Sequence, residues 1–179
     1  RVANQTAFNT FLSDIEPSST TVSYISSVQN SIRKYLAEHP SYKDIHSQTF
    51  LSGSYAKHTA IRPVLYDGKR DVDIIIVTTH DTNDNSIDVI KELHDTLKEK
   101  DLYRTARIQS HSVGIELQGI EIDVVPVASN AFDKLYIGSS KSNEWLPTDP
   151  KGHIKWSSSV NSNNGLKYKP LVKILKWWR

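Results

Sequence analysis

The stretch DVDIIIVTT at residues 71–79 constrains the fold of this chain more than any other part of the sequence. After its acidic start it is nearly all apolar until the threonines, as is typical of a strand that is covered on both faces of a sheet. Asp71 and Asp73 lie on one face of this strand, because successive side chains of a strand point to opposite sides. The pattern therefore predicts a buried strand at residues 71–78 that begins with a pair of carboxylates.

Helical patterns surround this strand in the sequence and favour an α+β fold, with a mixed central sheet flanked by helices. Apolar residues recur at helical spacing over residues 5–15, and Pro17 stops that run. A longer pattern at 19–38 predicts a long N-terminal helix that ends before Pro40. Ser86 is expected to cap a further helix. The apolar side of that helix would carry Ile87, Ile90, Leu93 and Leu97.

A second strand region is predicted by SVGIELQGIEIDVVPV, which alternates on either side of Gly119 and indicates two strands joined by a tight turn. Asp123 lies in the second of these strands, and Pro126 is expected to close it. QTFL at residues 48–51 is a short strand candidate, followed by a short helix that begins at Ser54.

Composition excludes several classes of protein. The chain has 179 residues, of which 37% are hydrophobic and 23% charged, as is typical of a soluble globular protein. No apolar stretch approaches the roughly 18 residues that a membrane span needs, so we expect no membrane partner. The chain has no cysteine. This excludes disulfides and thiolate metal sites and agrees with the cytoplasmic location that we expect.

Charge is unevenly distributed along the chain. Residues 151–179 carry seven basic and no acidic side chains, whereas the rest of the chain is acidic overall. A basic segment facing an acidic body suggests a polyanionic ligand between them, although a solvated helix face is the commoner reason for such a pattern. The segment ends in a predicted helix with Pro170 in its first turn. Because the sequence stops inside that helix, we expect the natural protein to continue.

The aspartates of the two strand regions suggest a metal site. If the two strands are neighbours, Asp71, Asp73 and Asp123 converge on one patch, because paired strands lie only about 4.8 Å apart. Three such anions repel one another and cannot all stay ionised without a cation. All-oxygen ligands suit Mg²⁺ or Mn²⁺, and two such ions can activate a hydroxyl and stabilise a leaving pyrophosphate. Glu121 shares this face but lies one pleat away, so we expect it outside the metal shell.

The Gly-Ser pair in FLSGSY offers a complementary anion site. Gly53 allows a sharp turn and a close approach of the backbone to a ligand. Ser54, at a helix start, presents a hydroxyl and backbone N–H groups to anionic oxygens. This turn could hold one part of a nucleoside triphosphate while metal ions hold the other. Lys57 and Arg62 are either further phosphate contacts or ordinary surface and helix-end cations.

With these motifs in this order, the sequence resembles the polymerase-β-like nucleotidyltransferases. Within them it is similar to the bacterial cGAS/DncV-like group (CD-NTases), which makes cyclic oligonucleotide second messengers in anti-phage defence. The resemblance is carried by GSYAKHTAIRP, DVDIIIV, IEIDVVPV and LVKILKWWR, with WLPTDPKGHIKW before the last helix. It spans residues 48–179, and the helix at 19–38 is similar to the family's N-terminal spine helix. The implied fold is polymerase-β-like, with a C-terminal helical lobe that is incomplete here.

The resemblance also implies roles for individual residues. The three aspartates would hold two Mg²⁺ (or Mn²⁺) ions, and Asp123 would help to deprotonate the attacking hydroxyl. Gly53 and Ser54 would bind the triphosphate, and Lys176 would contact its terminal phosphates. Lys173 lies three residues earlier on the same predicted helix and could serve in place of Lys176.

The implied activity is that of a template-independent nucleotidyltransferase, which joins NTPs, ATP among them, and releases pyrophosphate to make a cyclic di- or trinucleotide. A downstream effector that senses the product and an activating protein are the implied partners. Two alternatives stay open, a nucleotidyltransferase that acts on an RNA end or a protein, and a non-catalytic nucleotide-binding module. We expect one domain over residues 1–179, made of N-terminal helices (1–46), a catalytic sheet core (47–128) and the start of the helical lobe (129–179).

Overall fold

A computed structural model describes residues 5–63 and 70–178 of the chain. Its helices are α1 (Gln5–Ile15), α2 (Ser19–Glu38), α3 (Gly53–Ala56), α4 (Ser86–Lys98), α5 (Pro150–Asn163) and α6 (Tyr168–Trp178). Its strands are β1 (His46–Leu51), β2 (Arg70–Thr78), β3 (Arg107–Ile108), β4 (Val113–Leu117), β5 (Ile120–Ser129), β6 (Leu135–Gly138) and β7 (Trp145–Thr148). These bounds confirm the two helices predicted at residues 5–15 and 19–38 and the buried strand predicted at 71–78.

The strands form one mixed sheet, as the sequence predicts. Its main order is β1-β2-β5-β4-β3, in which β2 and β5 are parallel and the other neighbours are antiparallel. The predicted strand pair forms β4 and β5, joined by a turn in which Gly119 has a φ of +75°. Because β5 lies directly beside β2, the strands that carry the aspartates are neighbours.

The main hydrophobic core lies on the face of the sheet that is covered by α2 and α4. Helix α2 contributes the stripe that its helical spacing predicts: Ile25, Val28, Ile32 and Leu36. Strand β2 contributes Val72, Ile74 and Ile76. Full burial of each such side chain contributes roughly 1.5–3 kcal/mol of transfer free energy. In the described ranges, no helix combines the length and the apolar character that a membrane span needs.

The opposite face of the sheet carries the aspartates and a smaller apolar cluster. Ile75 and Val77 of β2 pack there against Val125 and Val127 of β5. Phe50, Leu135 and Ile137 cover this cluster in part. Strand β2 is therefore buried on both sides beyond its acidic start, which accounts for its uninterrupted apolar run.

Strand β5 continues through Pro126 to Ser129, so the prediction that this proline closes the strand was wrong. One side of β5 pairs with β4 as far as Val124 and with β6 from Val127. The Val127 carbonyl accepts a hydrogen bond from the Thr78 hydroxyl at 3.0 Å and thus faces β2. The nitrogen of Pro126 then points to the gap between β4 and β6, where a missing N–H removes no ladder hydrogen bond.

The N-cap of α4 also differs from the prediction. Asn85, not Ser86, caps the helix, because its side-chain oxygen accepts the Ile87 N–H at 2.9 Å. Ser86 is buried, and its hydroxyl donates to the Ser139 carbonyl at 2.8 Å. Asparagine and serine are about equally good N-caps, so adjacent candidates cannot be separated by sequence preference alone.

Two short strands before α5 were not predicted from the sequence. β6 and β7 have four residues each, and they pair with one another at the end of β5. They extend the sheet beyond residue 128, toward the beginning of α5. The helix predicted to begin at Ser54 is a single turn, Gly53–Ala56.

Candidate active site

Two aspartates lie side by side on the parallel strands β2 and β5. Asp73 pairs in register with Asp123, and Asp71 pairs with Glu121. Paired strands are about 4.8 Å apart and alternate residues of one strand about 6.5 Å apart, so the Cα atoms of Asp71, Asp73 and Asp123 form a small triangle. The fold thus brings together the three carboxylates that the motifs single out.

Burial and mutual repulsion disfavour the ionised form of two of these carboxylates. Burial raises the pKa of Asp73, and the charge of Asp71 raises it further, while the Lys57 ammonium opposes the shift. Burial also raises the pKa of Asp123, with Asp73 and then Asp71 as further causes. A cation bound beside them would reverse both shifts, because an opposite charge favours the ionised carboxylate.

The turn at Gly53 packs directly against Asp73. Gly53 has a φ of +61°, a left-handed conformation that residues with a Cβ rarely adopt. A Cβ added at Gly53 would overlap Oδ2 of Asp73 and lie 2.8 Å from its Cγ. The approach follows from the pairing of β1 with β2, which ends with the Ser52 N–H donating to the Asp73 carbonyl at 2.8 Å. The glycine is therefore required both by the backbone and by the neighbouring carboxylate.

Lys176 reaches the same turn from α6. Its ammonium donates to the Thr59 carbonyl at 3.0 Å, and the Thr59 N–H donates to the Ser54 carbonyl at 2.9 Å. Burial lowers the pKa of Lys176, and the nearby Lys57 ammonium lowers it further. Two neighbouring ammonium groups repel each other unless an anion lies between them, so this corner of the molecule favours an anionic ligand.

Three other charged residues near the site have partners of their own. The Lys173 ammonium donates to Oε1 of Glu16 at 2.6 Å and so joins α6 to the end of α1. Arg62 also binds there, since its Nε donates to the Glu16 carbonyl at 2.6 Å. Glu121 forms an ion pair with Arg107 of β3. These contacts favour Lys176 over Lys173 as the cation beside the Gly53 turn and give Arg62 a structural role.

The donor atoms of the carboxylate patch fit a hard divalent cation. Judged within the described part of the chain, Oδ1 of Asp123 is buried without a hydrogen-bond partner. An acceptor orphaned in this way is costly unless a ligand satisfies it. No group of three His, Asp or Glu side chains in residues 5–63 and 70–178 is already arranged as a metal site. Strand register brings the carboxylates to one patch, and Oδ2 of Asp73 lies against the Gly53 turn.

A cavity of about 250 Å³ lies between the Gly53 turn and the start of α5. Its polar side consists of Ser52, Gly53, Lys57 and Asp73, and its apolar floor of Ile75, Val125 and Ile137. His153 and Ile154 of α5 complete the wall. The sequence motifs assign these two residues no role, because their position depends on where α5 crosses the sheet. A larger cleft of about 940 Å³ adjoins the cavity at Thr148 and His153.

Sequence comparison connects the chain with known synthases. The family model of the Second Messenger Oligonucleotide or Dinucleotide Synthetase domain matches residues 2–161. Cyclic AMP-AMP-AMP synthase from an Acinetobacter species is 40% identical over 181 residues, which cover 99% of this chain and 52% of that protein. Cyclic AMP-AMP-GMP synthase from Enterobacter hormaechei is 27% identical over 234 residues, covering 98% of this chain and 61% of that protein. The chain thus spans little more than half the length of the curated relatives it matches.

Solved structures share the fold. Escherichia coli DncV in its 3'-deoxy GTP bound form superposes with a TM-score of 0.75 at 14% identity, over 94% of this chain and 64% of that chain. The complex of E. coli MS115-1 CdnC with HORMA-deltaN superposes with a TM-score of 0.71 at 16% identity, over 96% of this chain and 55% of that chain. At these identities the likeness establishes the mixed-sheet architecture that the motifs predict, and only that.

Proposed function

The chain belongs to the Second Messenger Oligonucleotide or Dinucleotide Synthetase family, and we propose that it forms the catalytic core of an enzyme that makes a cyclic oligonucleotide. The enzyme joins nucleoside triphosphates without a template, releases pyrophosphate and closes the product into a ring. Because the chain spans about half the length of its 40% identical relative, this activity is proposed for the full-length protein that contains it.

The main support for this proposal is the contact between the Gly53 turn and Asp73, beside Asp123. A triphosphate is charged along its whole length, so it needs an anion-binding turn at one end and cation-bound carboxylates at the other. Here the two parts touch, with Lys57 and Lys176 on the side of the turn. A glycine turn by itself, or a pair of carboxylates by itself, is common in proteins that bind no nucleotide.

The aspartates are proposed to act at the reacting end of the substrate. Asp71, Asp73 and Asp123 would hold two Mg²⁺ or Mn²⁺ ions, which when bound acidify the attacking hydroxyl and stabilise the leaving pyrophosphate. Asp123 would take up the proton of that hydroxyl as the new bond to phosphorus forms.

The other end of the triphosphate is proposed to lie on the turn. Gly53 leaves its backbone open to a close approach, and Ser54 would donate its hydroxyl and N–H to phosphate oxygens. Lys176 would donate a charge-assisted hydrogen bond to the terminal phosphates in place of its bond to Thr59. The charge of Lys57 lowers the pKa of both Asp73 and Lys176, so Lys57 lies near both and would add a second positive charge.

ATP is the proposed substrate, and a ring of three nucleotides is the proposed product. The 40% identical relative is named for three AMP units, and the Enterobacter relative for two AMP units and one GMP. A downstream effector that senses the product and an activating protein are also proposed. The solved complex of CdnC with HORMA-deltaN supports only the coarser point that a protein of this fold can bind a second protein.

Incubation of the full-length protein with radiolabelled ATP and Mg²⁺ or Mn²⁺ tests the proposal. We expect a small labelled product that resists phosphatase, because a ring has no terminal phosphate. The Asp73→Asn variant should make none of it. Label in a macromolecule would instead indicate transfer to RNA or protein. A protein that binds ATP but forms no product under any metal condition would be a nucleotide-binding module.

A further inference from the structure

A glutamine in the turn between β3 and β4 reaches the third aspartate. The turn is closed by its backbone, since the Gln109 N–H donates to the Ser112 carbonyl at 2.9 Å. The Gln109 side chain is therefore not needed to close it. That side chain acts on Asp123, which lies on β5 and is not part of the turn: hydrogen bonding by Gln109 lowers the pKa of the Asp123 carboxyl and so opposes the effect of burial.

A glycine opens the path for this contact. Gly114 of β4 is the register partner of Asp123, so a side chain at position 114 would stand next to the carboxylate. A Cβ at Gly114 would lie 2.7 Å from Nε2 and 3.0 Å from Cδ of Gln109. The amide of Gln109 thus crosses β4 in the space that a larger residue at 114 would fill.

A serine fixes which end of the amide faces the aspartate. The Ser112 hydroxyl donates to Oε1 of Gln109 at 2.5 Å. Because the amide oxygen is engaged in this way, the Nε2 donor is directed to Asp123. In the described part of the chain Oδ1 of Asp123 is buried and has no hydrogen-bond partner, so its capacity to accept or to bind a cation is unused.

We propose that Gln109, oriented by Ser112 and admitted by Gly114, is a positioning residue that holds Asp123 with Oδ1 available to a divalent cation. A neutral amide suits this role, because it stabilises the carboxylate without adding a positive charge that competes with the cation. The guanidinium of Arg107, whose charge also lowers the pKa of Asp123, forms its ion pair with Glu121. The inference rests on the proposed metal-binding role of Asp123.

The test measures Mn²⁺ binding to the full-length protein in the absence of nucleotide, together with kcat, KM for ATP and the melting temperature. Gln109→Leu removes the donor at nearly constant volume, and Gly114→Ala displaces the amide. Both should weaken Mn²⁺ binding by about 10-fold, in the range found when a group that orients a metal ligand is removed. We expect kcat to fall while KM for ATP changes little. Ser110→Ala, an exposed position of the same turn, is the matched control and should leave Mn²⁺ binding unchanged.

A double variant separates positioning from general damage to the hairpin. If Gly114→Ala acts by displacing the amide, then Gln109→Ala/Gly114→Ala should bind Mn²⁺ as Gln109→Ala does. Wild-type Mn²⁺ affinity in Gln109→Leu, a lower melting temperature as the sole effect, or additive losses in the double variant would each overturn the inference. If the wild-type protein itself binds no Mn²⁺, the proposed metal site fails and this inference fails with it. If the wild type and Gln109→Leu bind Mn²⁺ equally well, the role of Gln109 is refuted and the proposed metal site still stands.

Discussion

Gly53 and Asp73 are in contact across the β1–β2 pair, and the space that a Cβ of Gly53 would occupy is filled by the Asp73 carboxylate. The Ser52 N–H donates to the Asp73 carbonyl at 2.8 Å, so this contact is a direct consequence of strand register. Two motifs that lie twenty residues apart in the sequence are therefore one structural unit. A change at Gly53 acts on the turn and on the carboxylate together.

Gly53→Ala should abolish activity. The φ of +61° costs a residue with a Cβ about 1–2 kcal/mol, and the methyl group would also displace the Asp73 carboxylate. Displacement of a reacting group by about 1 Å can reduce the rate about 100-fold, so we expect at least that loss of turnover. Steady-state kinetics with ATP and chemical denaturation of the same samples measure the two effects.

Gly165→Ala is the matched control for that variant. Gly165 has a φ of +59°, and no described atom lies within 4 Å of the added Cβ. The free energy of unfolding of Gly165→Ala should fall by a similar amount, roughly 1–2 kcal/mol, and its turnover should equal that of wild type. Equal turnover in the two variants would show that the contact with Asp73 has no catalytic consequence.

Lys176→Ala and Lys173→Ala should have different effects. Loss of Lys176, which lies against the loop after the Gly53 turn, should raise KM for ATP about 10-fold, equivalent to 1.4 kcal/mol of lost binding. Loss of Lys173 breaks its ion pair with Glu16 and should lower stability by about 1 kcal/mol at most. The KM for ATP of Lys173→Ala should stay at the wild-type value. The reverse pattern would assign the phosphate contact to Lys173.

Asp73→Asn should stabilise the metal-free protein at neutral pH. Burial and Asp71 raise the pKa of Asp73 in the folded state, so the folded state binds that proton more tightly than the unfolded state does. The ionised carboxylate therefore opposes folding at neutral pH, and the penalty fades as pH falls through the raised pKa toward about 3.9, the ordinary value. We expect the variant to be more stable by about 0.5–2 kcal/mol at pH 7 and equal to wild type below about pH 4.

Guanidinium denaturation in EDTA across this pH range measures that difference. Addition of Mg²⁺ or Mn²⁺ at pH 7 should reverse the order, because wild type keeps all three carboxylates and gains binding energy. A variant that is less stable than wild type in EDTA at every pH would contradict the assignment of Asp73 as an unfavourably buried charge.

Glu121→Gln and Asp123→Asn should separate two acidic residues of the same strand face. Glu121 is paired with Arg107, so its neutral variant should keep turnover within about threefold. Asp123→Asn removes a proposed metal ligand and should reduce turnover at least about 100-fold, the scale of losing one major stabilising group. Mn²⁺ titration of both variants gives an independent measure. Weakened Mn²⁺ binding in Glu121→Gln would place this residue inside the metal shell.

Much of this architecture could be predicted because the decisive signals are local. The apolar run after Asp73 is continuous enough to indicate a buried strand, and the alternation around Gly119 defines a hairpin. The predicted carboxylate patch required β2 and β5 to be neighbours, and the two strands are paired in the structure.

The remaining features depend on tertiary contacts that sequence patterns do not encode. Strands β6 and β7 are four residues long, too short for a periodic signal. The continuation of β5 through Pro126 depends on a gap between two partner strands. Gln109 lies outside the quoted motifs, and its approach to Asp123 requires the absence of a side chain at Gly114. The choice between Lys173 and Lys176 likewise rests on Glu16, which only the folded chain brings to α6.

Mass spectrometry of the product formed by the full-length protein from ATP and Mg²⁺ tests the central claim most directly. The proposed chemistry predicts a species with the mass of three AMP units joined in a ring, absent when Asp73→Asn replaces wild type. A linear oligonucleotide that retains its triphosphate, or nucleotide attached to RNA or protein, would contradict ring closure. An equal yield of cyclic product from Asp73→Asn would contradict the role of the carboxylate patch itself.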